Sequence, residues 1–312
     1  MSPRADFDDL VALGMVRADH AHMRPAIEKE LLHYDILYAL DRERLLETLT
    51  FQGGTALRLC YGASRLSGDL DFVGGRGFDR SRLRELADCL RHYIGERYGL
   101  PVEVREPGGH ALRGGDEAPG ETVRVLKWRV SVVTAPMRPD LPKQHVNVEV
   151  ANLPAYTREP MALRVNYDFL PGGYMDLLVP TERLEEVVAD KLVSLVNSTR
   201  YLRYRDIWDL RWLGQRNVAV DGELIRRKVD DYGVDGYPRR ARAMAGRLPE
   251  IVAGSEFSAE MRRFTPSDIQ RRTLDRDGFL GVLVREVGGM LEKAASWLEV
   301  GPDTNADPGF TI

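Results

Sequence analysis

The sequence is poor in cysteine and histidine and contains no long apolar run. Its two cysteines, Cys60 and Cys89, lie inside apolar helical patterns, which favours small core side chains over a disulfide or a metal pair. The six histidines show no metal-ligand spacing. No stretch approaches the roughly 20 apolar residues of a membrane span, and the first residues of the chain carry acids. We therefore expect a cytoplasmic protein with no membrane segment.

Neither sign of charge is in large excess. The net charge of −4 excludes a chain that is coated in positive charge, but it allows a local basic patch. In the last third of the chain, basic residues are interleaved with Tyr201, Tyr204, Trp208 and Trp212, which favours an RNA-facing surface. The alternative is a solvated helix face with ordinary ion pairs. The basic residues of this region are Arg200, Arg203, Arg205, Arg211, Arg216, Arg226-Arg227-Lys228 and Arg239-Arg240-Ala241-Arg242.

The first part of the chain mixes helical and strand patterns. Helical spacing of apolar residues covers residues 8–46, Thr55–Tyr61 and Asp79–Tyr98. The segment Pro107–Gly120 is rich in glycine, proline and charge, which predicts an exposed loop. The predicted strands are Leu49–Gln52, Asp69–Val73, Val102–Val104, Val123–Val133 and Val146–Val150.

The pattern becomes almost entirely helical near residue 180. A helix is predicted over Glu182–Ser198 with Thr181 in the capping position, and the following residues to about Leu298 are mainly helical. We therefore predict two domains, residues 1–180 and 181–312.

Asp69 and Asp71 are the strongest chemical feature of the sequence. In a strand, residues two apart face the same side, so these carboxylates project together while Leu70 and Phe72 point into the core. Paired carboxylates suit Mg²⁺, and two such ions about 3.5–4 Å apart can bind both the attacking and the leaving oxygen of a phosphoryl-type displacement. Asp69 and Asp71 are therefore predicted to be catalytic metal ligands.

A glycine turn, Gly53-Gly54, precedes this strand and opens a predicted helix. A triphosphate needs close backbone approach and exposed N–H donors at a helix start, and glycines permit that approach. We expect Thr55 to cap the helix and offer its hydroxyl, and Arg65 to hold a phosphate in bidentate fashion. Ser67 falls on the face of the two aspartates if the strand begins early enough. These five residues are the predicted nucleotide-binding set.

Two segments together resemble the signature of the AbiEii/AbiGii family of nucleotidyltransferase toxins, which includes the MenT toxins. They are Gly53-Gly54-Thr55-Ala56-Leu57 and Arg65-Leu66-Ser67-Gly68-Asp69-Leu70-Asp71-Phe72. The resemblance covers roughly residues 45–215. It implies an α+β fold, in which a polymerase-β-like nucleotidyltransferase domain with a mixed sheet is followed by an all-α C-terminal domain that completes the active site. It also implies Mg²⁺-dependent transfer of a nucleoside monophosphate from an NTP, and in characterised MenT-type members the acceptor is the tRNA 3′ end.

A third carboxylate on a neighbouring strand is usual in this fold. In Val146-Asn147-Val148-Glu149-Val150, the three valines share one face of the strand, and Asn147 and Glu149 share the other. Glu149 is therefore predicted to bind metal or to act as the general base for the attacking hydroxyl. The alternative is a strand whose outer face is simply polar.

Lys191 lies on the apolar stripe of the helix that follows Thr181, and a lysine in that position needs a partner. The expected partner is the triphosphate, near the leaving pyrophosphate; a snorkelling lysine is the alternative. The run Arg205-Asp206-Ile207-Trp208-Asp209-Leu210 resembles a second family element. Asp206 is expected to orient Lys191 or an active-site arginine, or to contact the nucleotide, with an ordinary ion pair as the alternative.

These patterns together predict a Mg²⁺-dependent nucleotidyltransferase toxin that transfers NMP to RNA, with the tRNA 3′ end as the expected acceptor. The expected partners are an NTP, tRNA and a cognate antitoxin protein. One alternative keeps the chemistry but uses a small molecule or a protein hydroxyl as acceptor. Another is a degenerate enzyme kept as a nucleotide-binding or partner-binding module, which the intact acids argue against.

Overall fold

The computed structural model describes residues 6–16, 23–107, 123–198 and 201–300, and it divides into two compact units. The first unit comprises Met1–Arg183 and Arg262–Arg272, and the second comprises Leu184–Met261 and Thr273–Ile312. The predicted loop that follows Pro107 lies outside the described residues.

The first unit is built on a mixed sheet of seven strands. The strands are β1 (Thr50–Gln52), β2 (Leu70–Val73), β3 (Val102–Arg105), β4 (Val125–Val132), β5 (Gln144–Ala151), β6 (Glu159–Ala162) and β7 (Leu178–Thr181). Their order across the sheet is β3-β4-β5-β2-β1-β7-β6. The pairs β2/β5 and β1/β7 are parallel, and the other neighbours are antiparallel. The predicted mixed sheet is therefore confirmed, while β6 and β7 had no counterpart among the predicted strands.

Helices form the rest of the described structure. They are α1 (Phe7–Val16), α2 (Arg24–Arg42), α3 (Gly53–Leu59), α4 (Leu86–Tyr98), α5 (Leu184–Asn197), α6 (Tyr204–Gln215), α7 (Gly222–Tyr232), α8 (Tyr237–Ala253), α9 (Ser255–Phe264), α10 (Ser267–Arg272) and α11 (Phe279–Val300). α4 begins later than the sequence pattern predicts, because Asp79 caps a separate 3₁₀ turn at Arg80–Leu83. None of the helices in the described ranges is long and apolar enough to span a membrane.

The core of the first unit lies on one face of its sheet. Alternation along β5 points Val146, Val148 and Val150 into this core, where each is 0% exposed, and β4 adds Trp128 and Val130. α2 packs on β5 and α4 packs on β3, so these helices cover the apolar side chains. The opposite face therefore carries the polar residues of the same strands.

The second unit is entirely helical in its described residues, as the change of pattern near residue 180 predicts. Asp221 caps α7 by accepting a hydrogen bond from the backbone N–H of Leu224 (3.0 Å). Gly222 follows it, and a Cβ there would lie 1.8 Å from the ring of Trp297. The absence of a side chain at Gly222 is thus what lets α11 pack closely on the start of α7.

Candidate active site

The three predicted carboxylates lie together on the polar face of the sheet. Asp71 of β2 is the register partner of Glu149 on β5 and of Gln52 on β1. Asp69 directly precedes β2 and lies beside Asn147 of β5. Partners in register share a face and belong to strands about 4.8 Å apart. The sheet thus places Asp69, Asp71 and Glu149 at neighbouring positions on one face, although they are up to 80 positions apart in the sequence.

The carboxylate of Asp69 is held in a fixed orientation. Its Oδ1 atom accepts hydrogen bonds from the backbone N–H of Asn147 (3.0 Å) and from Nδ2 of the same residue (2.8 Å). Charge-assisted bonds of this kind are strong and directional. Within the described ranges, the bonds to this carboxylate all fall on Oδ1, which leaves Oδ2 to a ligand. The sequence analysis assigned Asn147 no role; its only signal was its position on the same face as Glu149.

Gly53 allows the glycine turn to approach the second aspartate. Its φ of +76° is in the left-handed region that disfavours other residues, and an added Cβ would lie 2.6 Å from Oδ2 of Asp71. The backbone of the turn is therefore pressed against the Asp71 carboxylate. Both the conformation and the contact require glycine at this position.

Gly54 lies against two of the other predicted nucleotide-binding residues. A Cβ at Gly54 would be 2.4 Å from Nη2 of Arg65 and 3.1 Å from Oγ of Ser67. Both side chains are buried, and Nη1 of Arg65 donates to the carbonyl of Leu66 (2.9 Å). The structure thus places Gly54, Arg65 and Ser67 next to one another, beside the turn that contacts Asp71.

The prediction that Thr55 caps the helix is wrong. α3 already begins at Gly53, with Gln52 as its N-cap, so Thr55 is an interior residue of this short helix. Its buried hydroxyl donates to the backbone carbonyl of Asp69. Thr55 therefore positions the segment that bears the two predicted catalytic aspartates, and a contact of its hydroxyl with the nucleotide remains a prediction.

Glu149 has a basic partner that the sequence analysis did not identify. Nζ of Lys127, on β4, donates to Oε1 of Glu149 (2.7 Å), and these two residues are partners in the β4–β5 register. A nearby cation offsets part of the repulsion among three clustered carboxylates. The oxygen donors of Asp69, Asp71 and Glu149 fit a hard divalent cation such as Mg²⁺.

In the second unit, Lys191 is buried and paired with two acids. Its Nζ atom lies 3.0 Å from Oδ1 of Asp206 and 2.8 Å from Oδ2 of Asp209. Asp206 also pairs with Arg203 (3.3 Å). The pairing of Lys191 with Asp206 that the sequence analysis expected is present, and the snorkelling alternative is wrong because the amine itself is buried. The acids meet the need for a partner, so a contact of Lys191 with triphosphate remains a prediction.

The basic clusters of the second unit are largely neutralised by ion pairs. Arg226 and Arg227 both pair with Glu223, at 2.6 and 3.0 Å. Lys228 is 0% exposed and contacts Glu186 (2.7 Å) and Asp190. Three further contacts follow the same pattern: those of Arg242 with Glu292 and Glu299, and that of Arg205 with Glu260. For these residues the ion-pair alternative is confirmed. Trp208 is buried against Phe279, so its ring is not exposed for stacking on RNA bases.

Removal of the Asn147 amide should lower the turnover of the enzyme. In Asn147→Ala, Asp69 keeps the backbone N–H bond but loses the bond from Nδ2, so its carboxylate is held less firmly. A hydrogen bond to a charged group contributes about 1.5–3 kcal/mol, which corresponds to at least about a tenfold decrease in kcat. Steady-state kinetics of nucleotide transfer, together with the thermal midpoint, would measure this. An unchanged kcat in a folded variant would show that the amide does not position Asp69.

Another buried group, His33 of α2, supports the backbone just before Asp69. Its Nε2 atom bonds to the carbonyl of Gly68 (3.2 Å). Burial is the main reason that the pKa of His33 falls to about 4. In the unfolded chain its pKa is near 6.5, so the unfolded state binds an extra proton between these values, and the folded state loses stability as the pH falls from 6.5 to 4.

We expect His33→Gln to reduce this acid sensitivity while keeping an N–H donor for Gly68. His33 should account for a loss of about 2 kcal/mol in the free energy of unfolding between pH 7 and pH 4.5. Urea denaturation of the wild type and the variant at both pH values measures this difference, with His92→Gln, a substitution on the surface, as the control. Parallel pH dependences for wild type and His33→Gln would contradict the assignment.

Comparisons with known proteins found one family and several solved structures that are similar to this chain. The family described as Nucleotidyl transferase AbiEii toxin, Type IV TA system, matches residues 35–279. The structure of MenT4, the nucleotidyltransferase toxin Rv2826c from Mycobacterium tuberculosis H37Rv, aligns with a TM-score of 0.50 and 20% identity, over 95% of this chain and 90% of that chain. JHP933 from Helicobacter pylori aligns with a TM-score of 0.42 and 17% identity, over 84% and 94%. No curated protein matches the chain.

Proposed function

Because the chain belongs to the AbiEii family of nucleotidyltransferase toxins, we propose that it transfers a nucleoside monophosphate from an NTP to the 3′ end of an RNA, with tRNA as the acceptor. The observation that carries the proposal is the convergence of Asp69, Asp71 and Glu149 on one sheet face, with Gly53 against Asp71. Membership of a type IV toxin–antitoxin family implies an antitoxin as a partner. The tRNA acceptor is supported by the resemblance to MenT-type toxins.

The acids and the glycine turn have separate tasks in this proposal. Asp69, Asp71 and Glu149 would hold Mg²⁺, which when bound neutralises phosphate charge and orients the attacking and leaving oxygens. Asn147 keeps the Asp69 carboxylate in its orientation. Gly53 keeps the backbone close to Asp71, where a phosphate chain can approach it.

Three basic or polar groups would bind the triphosphate. Arg65, adjacent to Gly54, would donate to phosphate oxygens, and Ser67 would add a hydroxyl donor. Lys191 would place its charge near the leaving pyrophosphate, and its bond to Asp206 would set the direction of its amine. Glu149 would accept the proton of the attacking hydroxyl if it does not ligate metal, and its contact with Nζ of Lys127 would orient the carboxylate.

The alternatives differ from this proposal in the destination of the nucleotide. The full chain would be incubated with each α-labelled NTP, Mg²⁺, total RNA, protein and small metabolites, with Asp71→Asn as the inactive control. We expect label in RNA of tRNA size, at the 3′ end, and only when Mg²⁺ is present. Label in protein or in a small molecule would identify a different acceptor. A lack of transfer from any NTP, with NTP binding retained, would indicate a binding module.

A further inference from the structure

The polar face of the sheet extends beyond the three acids. Arg105 of β3 is the register partner of Arg129 on β4, and Arg129 is the partner of Asn147 on β5. Asn147 in turn bonds to Asp69. One row of side chains thus runs across four neighbouring strands and ends at a predicted catalytic acid. Because strands are spaced by about 4.8 Å, Arg129 lies about 10 Å from Asp69 along this row.

Other basic residues flank the row. Lys127 is exposed on β4, Lys143 directly precedes β5, and Lys29 of α2 lies near Gly68. Burial, followed by the positive charges of Arg129, Lys29 and Lys143, lowers the pKa of His145 on the same face. These three cations therefore act on a common region of the surface. We call the surface formed by Lys29, Arg105, Lys127, Arg129, Lys143 and His145 the sheet-face patch.

Besides Asp69 and Asp71, two acids lie on this face, and neither pairs with an arginine of the patch in the described residues. Glu149 is paired with Lys127, and Glu103 of β3 is the register partner of Ser131. Two arginines, by contrast, are directly opposite each other on β3 and β4, and in the part of the chain that the structure describes neither has a carboxylate partner. Like charges placed opposite in a sheet destabilise it. Such a cost is typical of a surface that binds an anion.

The order of the strands indicates which anion the sheet-face patch would bind. The residues predicted to bind the triphosphate lie beside β1, in the order β5-β2-β1, whereas the patch lies on β3, β4 and β5. Asp71 on β2 lies between them. In phosphoryl-type displacement the attacking and leaving oxygens are roughly in line. The acceptor must therefore approach from the side away from the pyrophosphate, which is the side of the patch.

Asn147 offers a second link between the patch and an RNA end. Its Oδ1 atom is buried and has no donor among the described residues, although its Nδ2 is bonded to Asp69. It lies between Arg129 and Asp69 in the row. A ribose hydroxyl at the end of an RNA chain is a donor that could satisfy this oxygen.

We infer that the sheet-face patch binds the phosphate backbone of the RNA acceptor and leads its 3′ end to Asp69 and Asp71. This inference rests on the proposed function. The aromatic side chain of β4, Trp128, is buried on the opposite face, so the patch offers charge rather than stacking. Contacts to phosphate position a nucleic acid without reading its sequence. Recognition by the patch is therefore independent of base identity.

The test uses the full chain and the double variant Arg105→Gln/Arg129→Gln. Arg226→Gln/Arg227→Gln is the matched control, because it also removes two partly exposed arginines, but these are paired with Glu223 in the second unit. RNA affinity and the KM for RNA are measured at several salt concentrations with tRNA of wild-type sequence. The KM for NTP and the thermal midpoint are measured in parallel.

Loss of two phosphate contacts should reduce the slope of log affinity against log salt by about 1.4, at roughly 0.7 per contact for a single strand. RNA affinity should fall at least about tenfold, since each lost bond to a charged group costs that much. The KM for NTP should not change, and the thermal midpoint should not fall, because the variant removes a like-charge pair. The control should match the wild type in every measurement.

Equal salt slopes for wild type and the Arg105→Gln/Arg129→Gln variant would overturn the patch. If the same variant instead lost the binding of an acidic protein, the occupant of the patch would be that protein and not RNA. If the double variant does not fold, Arg129→Gln alone is expected to lower the slope by about 0.7. Failure of the proposed function is distinguishable, because it would appear in the wild type itself, as a lack of any labelled RNA.

Discussion

Replacement of Asp69 or Asp71 by asparagine should lower nucleotide transfer by about a thousand-fold or more, because a metal ligand is lost while volume and shape are kept. In Asp69→Asn, the amide oxygen can still accept from Asn147, so the new NH₂ group occupies the place of Oδ2. An NH₂ group cannot ligate a cation. Transfer rates from labelled NTP measure the effect, and circular dichroism monitors the fold.

Glu103→Gln is the matched control for these variants. Glu103 is an exposed acid on the same face of the same sheet, on β3, three strands from Asp71. Glu103→Gln should retain wild-type transfer, because we expect the loss of a metal ligand, and not the loss of one negative charge on this face, to lower the rate. Wild-type activity in Asp69→Asn or Asp71→Asn would refute the assignment of metal ligands. An equal loss in Glu103→Gln would indicate that charge on this face, and not ligation, controls the rate.

Gly53→Ala should reduce transfer by about a hundred-fold or more, since the added Cβ would lie 2.6 Å from Oδ2 of Asp71 and must displace that carboxylate. The substitution also places alanine at a φ of +76°, which costs roughly 1–2 kcal/mol of stability. The rate of transfer and the free energy of unfolding in urea separate these two effects.

Gly75→Ala controls for the backbone strain alone. Gly75 has a φ of +82°, but a Cβ there would meet nothing within 4 Å. It should lose a similar free energy of unfolding and keep its activity. If Gly75→Ala lost as much transfer as Gly53→Ala, strain in the fold would explain both results. The contact between the turn and Asp71 would then have no catalytic importance.

The predicted strands and acids of the site follow from short-range rules. Alternation in Asp69–Val73 and Val146–Val150 assigned Asp69, Asp71 and Glu149 to polar faces. Both segments do form strands, β2 and β5, and the three valines of β5 are buried. The family signature then indicated that these faces adjoin. The period of a strand is a property of the backbone, so it can be deduced from the sequence without knowledge of the neighbours.

Predictions about charge were less successful, because the partner of a charged residue is a tertiary property. Arg226, Arg227 and Lys228 look like a basic cluster along the chain, yet they contact Glu223, Glu186 and Asp190 from their own or neighbouring helices. The sheet-face patch shows the opposite case. Lys127 and Arg129 are two positions apart on β4, and only the pairing of β3 with β4 places the distant Arg105 beside them.

The sequence alone determined the strands β1 to β5, the change to helices near residue 180, the strand face of the acids and the family, and through the family it implied a mixed sheet. These depend on periodicity and on local motifs, which short stretches of chain encode. Tertiary structure decided that Asn147 holds Asp69, that Thr55 supports the backbone of Asp69, and that Arg262–Arg272 returns to the first unit. Hydrogen bonds and strand register between residues far apart in sequence set these features, so no local pattern could indicate them.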